Sequence, residues 1–600
     1  MKDLIDTIVK QYFGADMDPV LLDRLQSVHL PGGKWLFREG DPGDALYFLI
    51  QGRLQAWAGN GEAARLLGEV RPGDSVGEAG LLAGDPRSAG IRAIRDSFLV
   101  RLDKKDFEHL ARQHPDMVMK LAGHVSRLMQ QNLAGAPREG RRFKTISLLT
   151  LHGSDRVERS REALVQDLLD QVGGLALCPE RLRQLGAPSA DGASLSPDLR
   201  RWLAEQEARQ PLLVFLCGTE DSAWTRFVLR QSDLVVRLAD ATESPVPTQA
   251  ERALNAECTQ VLALHHRGEH IAGTAEWLAG RPVDHHFHLR EGLGEDHARL
   301  VRILAGTSVG LVLGAGAVRG LSELGVHKAM VELGIPVDWV GGSSIGSIVA
   351  GAIARGWTPE HAIAMSRLSF VKGKPFSDYT LPVVSLIRGE RMMRLLRAQL
   401  DVAIEDLPIP YFCVSSRLDR GDVHVHQHGS LVEAIRASAA LPGVLPPAVV
   451  EEELVVDGAV LNNLPVDVMR QKLVGTVIAV DVSSRHTRRV DYEETPGSWA
   501  VLRGRWLPFT RRYRVPSLAT LILRSTEIGS LAQARQRRAS ADLLISPPVS
   551  KFRMTDVSAF DPIVEVGYSH GLEALRAWQE SREPDRSSSL GLEANGAAAG

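Results

Sequence analysis

The apolar rhythm of the chain changes twice along its length, and those changes limit its possible folds more than any other feature. Between about Leu30 and Val100, short apolar runs such as ALYFLIQG, RLQAWAGNG and IRAIRDSFLVRL are separated by REGDPGD and RPGD. Short strands punctuated by Gly, Pro and Asp turns predict a small all-β barrel, followed by helices around Lys104–Gln113 and Pro115–Asn132. The segment LAGAPREGRR breaks the periodicity, so residues 134–142 read as a linker closing a first domain of 1–133. Over 143–290, TISLLTL, LLVFL, DLVVRLA and QVLALHH alternate with polar helical segments, which predicts an open α/β domain with parallel strands. It contains no G-x-x-x-x-G-K-S/T, so a structural or coupling role is assigned to it. A third region, 295–579, repeats the α/β rhythm with SVGLVLG, IPVDWVGG, IPYFCVSS, LVVDGAV and GTVIAVDVS. Residues 580–600 lack the apolar spacing of a core and read as a disordered tail.

Charge and cysteine usage exclude several classes of function. The chain has 600 residues with 70 Lys plus Arg against 73 Asp plus Glu, so no global field draws it to nucleic acid. Cys178, Cys217, Cys258 and Cys413 lie far apart, which suits reduced thiols rather than a disulfide framework or a zinc site. The first residues carry no signal-peptide pattern, and no apolar run approaches the ~20 residues of a spanning helix. A cytoplasmic protein is expected, with any membrane contact peripheral.

Chemistry concentrates in the third region. Gly342-Ser343-Ser344-Ile345-Gly346 is a G-x-S-x-G between the apolar segment VDWVG and the helical run IGSIVAGAIARG. Strand, sharp turn and helix are the context in which such a serine projects as a nucleophile. Its hydroxyl needs a base, and Asp457, at the end of the strand LVVD and followed by Gly458, can face the same crevice. Taken alone, an Asp-Gly pair is more often a hairpin or loop. Leu313-Gly314-Ala315-Gly316-Ala317-Val318-Arg319-Gly320 forms a small-residue loop whose amides can face a developing oxyanion. A dinucleotide fingerprint fits it poorly, because the second strand ends in G-G-S-S-I-G where a ribose-binding acid belongs.

These three elements together resemble the patatin-like phospholipases, and within them the neuropathy target esterase group: a glycine-rich loop ending in R-G, then G-x-S-x-G, then D-G-A followed by N-N-L-P. IPVDWVGGSSIG, TLPVVSLIRGERM, IRASAALPGVLPP and DPIVEVGYSHG extend the resemblance, and RRWLAEQE and LRQSDLVVRLAD carry it into the middle domain. It implies a patatin-like α/β hydrolase with a Ser-Asp dyad, Ser344 accepting the acyl group and Asp457 activating it, without a cofactor. Gly314, Ala315, Gly316 and Ala317 would form the oxyanion hole. Gly320, Gly342, Gly346 and Gly458 would support the motifs, and Arg319 would fix the loop or meet an anionic head group. Ala315 and Ala317 replace glycines of the family's loop, and alanine resists positive φ.

In the barrel, Gly77-Glu78-Ala79-Gly80-Leu81-Leu82 and Pro86-Arg87-Ser88-Ala89 resemble the phosphate cassette of cyclic-nucleotide-binding domains. That resemblance puts Glu78 on a ribose, Arg87 on a cyclic phosphate, and Gly77, Ser88 and Ala89 around them, with cyclic AMP favoured. A barrel that has kept the fold without the ligand stays open as the alternative. A helix-turn-helix partner for the barrel finds no basic recognition helix after residue 140.

Other clusters are weaker. His424, His426 and His428 alternate as on one strand face, and His285, His286 and His288 are similarly clustered, but no carboxylate joins either set as a metal site. His570 follows Asp457 in the order of a Ser-Asp-His triad. Arg503, Arg505, Arg511, Arg512 and Arg514 interleave with Trp506, Phe509 and Tyr513, a surface suited to anionic lipid or simply a solvated loop. The resulting expectation is a serine esterase acting on phospholipids or lysophospholipids, regulated by a cyclic nucleotide. The alternative is a nucleotide-sensing module with a weakened hydrolase domain.

Overall fold

A computed structural model describes residues 25–59, 65–113, 143–190, 196–252, 258–483, 535–554 and 556–582, with isolated positions between them. The linker, most of the second helix after the barrel, the tail beyond 582 and the basic-aromatic segment 503–514 lie outside the described residues. Two compact units divide the chain at Gly306.

The first unit begins with two four-stranded antiparallel sheets. One has the order β1-β8-β3-β6, from β1 (Gln26–Leu30), β8 (Ser97–Asp103), β3 (Ala45–Gln51) and β6 (Ser75–Val76). The other has the order β2-β7-β4-β5, from β2 (Trp35–Phe37), β7 (Gly90–Ala93), β4 (Leu54–Ala58) and β5 (Arg65–Val70). The single run IRAIRDSFLVRL is split between β7 and β8, because Ile94, Arg95 and Asp96 carry the chain from one sheet to the other. Leu30, Tyr47, Leu49, Leu54, Ile91 and Leu99 close the core between the sheets. A short helix α1 (Glu78–Ala83) follows β6.

The remainder of this unit is a parallel sheet of order β10-β11-β9-β12-β13-β14. Its strands are β9 (Thr145–Thr150), β10 (Leu175–Leu177), β11 (Leu213–Cys217), β12 (Leu234–Asp240), β13 (Thr259–His266) and β14 (His285–Arg290). β12 is buried along its whole length, as expected of a strand covered by helices on both faces. The sequence reading places 295 onward in the third region. The helix Gly294–Ala305 instead packs on the middle domain, where His297 bonds Asp167 of the long helix α2 (Asp155–Val172) at 2.9 Å.

Buried charge joins the barrel to this sheet. Asp233 at the foot of β12 meets Arg95 Nε at 2.9 Å and Arg53 Nη1 at 3.0 Å, and its Oδ2 accepts the amides of Lys144 and Thr145. Arg95 also pairs with Glu207, and Arg53 with Glu69. Burial alone pushes Asp233 up, but the Arg95 and Arg53 charges outweigh it and hold the carboxyl below its ordinary value.

In the second unit the sheet order is β19-β20-β17-β16-β15-β21-β22. β15 (Val309–Leu313), β16 (Trp339–Ser343), β17 (Tyr411–Arg417), β21 (Thr476–Val480) and β22 (Leu543–Ile545) run parallel. β20 (Glu453–Asp457) and β19 (Ala448–Val450) add an antiparallel edge, and β18 (Val423–His426) also pairs with β17. Helix α3 (Ser322–Glu332) follows β15, α4 (Ile345–Ala354) follows β16, α5 (Glu390–Leu400) packs against the helix Leu431–Ser438, and α6 (Phe560–Arg582) packs along α3.

Replacing Asp233 with Ala would leave Arg53 and Arg95 buried without their shared anion. Such a change costs about 3–5 kcal/mol, so the urea midpoint of the variant is expected to fall sharply, while Glu69→Ala, at the more open end of the network, changes it less.

Candidate active site

The candidate site is built on a backbone turn. β16 ends at Ser343, and Ser344 takes φ 56° and ψ −121° before α4 begins at Ile345. A non-glycine residue in this region is strained, and the strain persists only where packing enforces it. Here the packing is backbone on backbone. A Cβ on Gly346 would lie 2.5 Å from Leu313 O and 2.9 Å from Gly314 O, and one on Gly342 would lie 2.5 Å from Gly346. The Ser344 amide donates to Ser438 Oγ at 3.0 Å.

Ser344 Oγ donates to Asp457 Oδ2 at 2.6 Å. Asp457 is 2% exposed and reaches the serine because β20 pairs antiparallel with β17, which sets Ser415 opposite Asp457. Its other oxygen accepts the Ala459 amide at 2.8 Å. Burial raises the carboxyl to about 6, against the opposing effect of the Ser344 and Ala459 hydrogen bonds. No hydrogen bond links His570 to either residue among the described residues; it lies on α6.

The loop after β15 divides the four amides that the sequence singles out. Gly314 N donates to Val480 O at 3.1 Å and Ala315 N to Asn463 O at 3.0 Å. These two amides hold the loop to β21 and to the N-N-L-P segment, so the expectation that they serve an oxyanion is corrected. Among the described residues, Gly316 and Ala317 have no backbone acceptor for their amides. Of the two alanines, only Ala317 takes the left-handed conformation that glycine favours, with φ 51°. Arg319 is buried, and its Nε and Nη2 donate to Phe552 O at 2.9 and 2.7 Å. It ties the loop to the segment before α6. Gly320 sits against Ile345, and Gly458 against Val414 and Ser343.

Two residues at this site escape the sequence reading. Ser438, within IRASAALPG, carries no motif signal beyond its place in that segment. Glu323 is fully buried in the first turn of α3, and neither carboxyl oxygen has a hydrogen-bond partner by geometry among the described residues. Burial pushes its carboxyl well above the usual range, the nearby Gly314 amide opposes this, and the Asp481 charge adds to it.

The histidine clusters serve the sheets. His426 bonds Ser415 Oγ at 2.8 Å across β18 and β17, His424 bonds Arg417, and His428 falls beyond the strand. His288 Nδ1 meets His266 Nε2 at 2.9 Å between β14 and β13. No group of three or more His, Cys, Asp or Glu suited to a metal occurs among the described residues.

In the first domain, Arg87 is buried and bonds Gly77 O at 3.0 Å, Ala45 O at 2.8 Å and Asp44 Oδ1 at 3.2 Å. Its guanidinium also lies 4.2 Å from the Phe37 ring centre. Glu78 is buried with Oε2 unpartnered among the described residues, and burial raises it to about 7. Gly77 turns at φ 91° against the Arg87 guanidinium, Ser88 is exposed, and Ala89 is half-buried.

Family comparisons match three stretches: a cyclic nucleotide-binding domain at 27–114, a neuropathy target esterase family P-loop-like domain at 143–306, and a patatin-like phospholipase at 311–470. An uncharacterized NTE family protein of Mycobacterium bovis is 31% identical, over 94% of this chain and 95% of that protein. The chain belongs to the neuropathy target esterase family. Patatin-like phospholipase domain-containing protein 6 of Mus musculus is 30% identical over 91% of this chain, and the fungal Lysophospholipase NTE1 of Mycosarcoma maydis is 29% identical over 91%. The chain spans 45% and 33% of those two family members. No helix among the described residues is long and apolar enough to cross a membrane.

Because burial raises the Glu323 carboxyl well above its ordinary value of 4.5, its contribution to stability is lost as pH rises above that value. Glu323→Gln is therefore expected to gain on the wild type in thermal midpoint as pH increases from 5 to 8. Gly346→Ala forces a Cβ onto the Leu313 carbonyl, and a loss of about 2 kcal/mol or more in urea unfolding is expected.

Proposed function

We propose that this chain hydrolyses acyl esters of phospholipids or lysophospholipids, with Ser344 as nucleophile and Asp457 as its base. The observation that carries this reading is the 2.6 Å hydrogen bond from Ser344 Oγ to a carboxylate that is 2% exposed and shifted to about 6. At neutral pH that carboxylate is ionised, yet it is a stronger base than an ordinary aspartate. Ser344 Oγ attacks the ester carbonyl as its proton passes to Asp457 Oδ2, giving a tetrahedral oxyanion. The amides of Gly316 and Ala317 receive that oxyanion; Gly314 and Ala315 hold the loop in place. As the carbonyl re-forms, the carbon–oxygen bond to the lipid alcohol breaks, and the alcohol leaves with the proton from Asp457. Water then gives a proton to Asp457 and attacks the acyl-serine, releasing the fatty acid and restoring Ser344. The naming of a relative as a lysophospholipase supports this substrate class.

Substrate seating is supported by an apolar pocket lined by Ile348, Ala352, Trp357, Phe370, Met392 and Leu396. Ile348 lies one turn beyond Ser344 on the helix face that the serine begins.

The first domain fits a cyclic nucleotide on one direct observation, the buried Glu78 Oε2, unpartnered among the described residues, which can accept a hydrogen bond from a ribose hydroxyl. Arg87 would meet the cyclic phosphate, with Gly77, Ser88 and Ala89 around it, and cyclic AMP is the favoured ligand. Because half-exposed Asp44 is one of the present partners of Arg87, a phosphate can displace it at low cost. The buried Arg53, Arg95 and Asp233 network supports a regulatory role by joining this domain to the middle sheet.

A second reading, a nucleotide-sensing module with a slow hydrolase, is favoured by the strained φ of 51° at Ala317. Ala317→Gly distinguishes them: turnover similar to wild type supports the esterase, whereas activity appearing only in the variant supports the slow-hydrolase reading.

Hydrolysis of a short-chain ester and of a lysophospholipid should fall at least about 1,000-fold in Ser344→Ala and Asp457→Asn. In the wild type, kcat/KM is expected to drop about tenfold per unit below pH 6, as Asp457 takes a proton in the free enzyme. A flat profile from pH 5 to 8 would remove Asp457 as the base. Saturating cyclic AMP should change turnover by about 5- to 150-fold and lose that effect in Arg87→Ala; equal turnover with and without nucleotide would discard the regulatory part.

A further inference from the structure

One segment of the second unit is built unlike the rest of its surface. Between the pocket and α5, the chain doubles back as a short hairpin: Tyr379 bridges Ile387, Thr380 N donates to Leu386 O at 3.1 Å, and Arg388 N donates to Asp378 O at 2.9 Å. Its tip is apolar and open to solvent. Tyr379 is 76% exposed, Leu381 78%, Val383 80% and Val384 65%, with exposed Pro382 among them. Single exposed apolar side chains are common on protein surfaces, but four within six positions on one projecting turn are not.

The foot of the hairpin is basic. Lys372, Lys374, Arg388 and Arg391 are all exposed there, against two carboxylates, Asp378 and Glu390. Asp378 accepts the Arg391 amide at 3.1 Å. An apolar tip above a basic foot suits side chains entering the acyl boundary while the cations remain among the phosphates, the division that interfacial elements show at a depth of about 5–10 Å.

The hairpin is also joined to the site. Pro375 at its base lines the apolar pocket, and the Phe376 ring packs at a tilt against the pocket residue Phe370 with ring centres 6.4 Å apart. Leu386 N and Ile387 N donate to Gly443 O and Val444 O, just beyond Ala440, whose carbonyl takes the Asp457 amide at 2.9 Å.

We propose that the 378–388 hairpin is a membrane-insertion element that seats this domain on an anionic phospholipid bilayer, tip in the acyl boundary and basic foot in the head groups, with the pocket mouth at the lipid surface. The proposal rests on the lipid-ester reading for its purpose, and its test is independent of turnover. Ser344→Ala protein is used throughout, with a Cys178→Ser replacement because Cys217, Cys258 and Cys413 are buried. A polarity-sensitive fluorophore on Val383→Cys is mixed with vesicles of phosphatidylcholine alone or with phosphatidylserine.

The expected result is a blue-shifted, brighter emission with phosphatidylserine vesicles. Co-sedimentation should fall at least tenfold in unlabelled Leu381→Asp/Val383→Asp protein whose thermal midpoint is unchanged, and should also weaken in Lys374→Glu/Arg388→Glu. Unshifted emission from co-sedimenting protein would show attachment elsewhere and overturn the proposal. So would failure to co-sediment, or a tip variant that instead converts a dimer to a monomer in sedimentation velocity, which would assign the tip to a second copy of the chain. A negative result here with Ser344-dependent ester turnover intact in the wild type would remove the insertion element and leave the esterase reading standing.

Discussion

The second unit depends on a place where two main chains touch with no side chain between them. The start of α4 lies directly on the end of β15, so close that a methyl group on Gly346 would overlap the Leu313 carbonyl. That contact fixes the turn at Ser344 in a conformation that serine does not otherwise favour, and aims its hydroxyl at β20. It also brings the loop after β15 beside Ser344, since the same Gly346 abuts Gly314. Strand, turn, loop and the Asp457 carboxylate are therefore not four separate features. They are the consequences of one close approach, held from the far side by Ser438 and by the Arg319 tie to Phe552.

Sequence patterning was informative where the cause was local. The strands β15, β16, β17, β20 and β21 follow from apolar runs bounded by turn residues, and G-x-S-x-G in its strand–helix setting marks Ser344 because glycine alone fits both sides of the turn. The residues it left unseen act through partners distant in the chain. The Gly314 and Ala315 amides look free in the loop sequence, but β21 and the N-N-L-P segment come from about 150 residues away and take them. Glu323 reads as an ordinary acidic residue in the first turn of a helix, and its burial depends on the packing of α3. Helix Gly294–Ala305 was assigned to the wrong side of a boundary because amphipathic spacing says which face is buried, not against what. The exposed hairpin tip has the same composition as a buried strand, TLPVVSLI, and periodicity cannot tell one from the other.

The carboxyl groups share a physical theme. Asp457, Glu323 and Glu78 are all raised by burial, and none of them is relieved by a close cation sufficient to reverse it. Asp233 takes the opposite course, since two guanidinium groups overcome an equally complete burial. The protein thus uses low-dielectric surroundings in two ways. Asp457, Glu323 and Glu78 are left without a countercharge that offsets their burial; Asp233, which holds two elements together, is surrounded by cations.

The arginines that meet Asp233 come from the barrel, and the aspartate comes from the sheet below it. Each side therefore carries, on the surface it would show if cut free, charges adapted to a dry interior. An isolated barrel would present Arg53 and Arg95 to water as misplaced surface cations, and an isolated sheet would present an acid at the foot of its central strand. The barrel in this chain is consequently not an interchangeable cassette. A graft of this barrel onto another domain would have to carry the β12 foot with it or rebuild both faces of the joint.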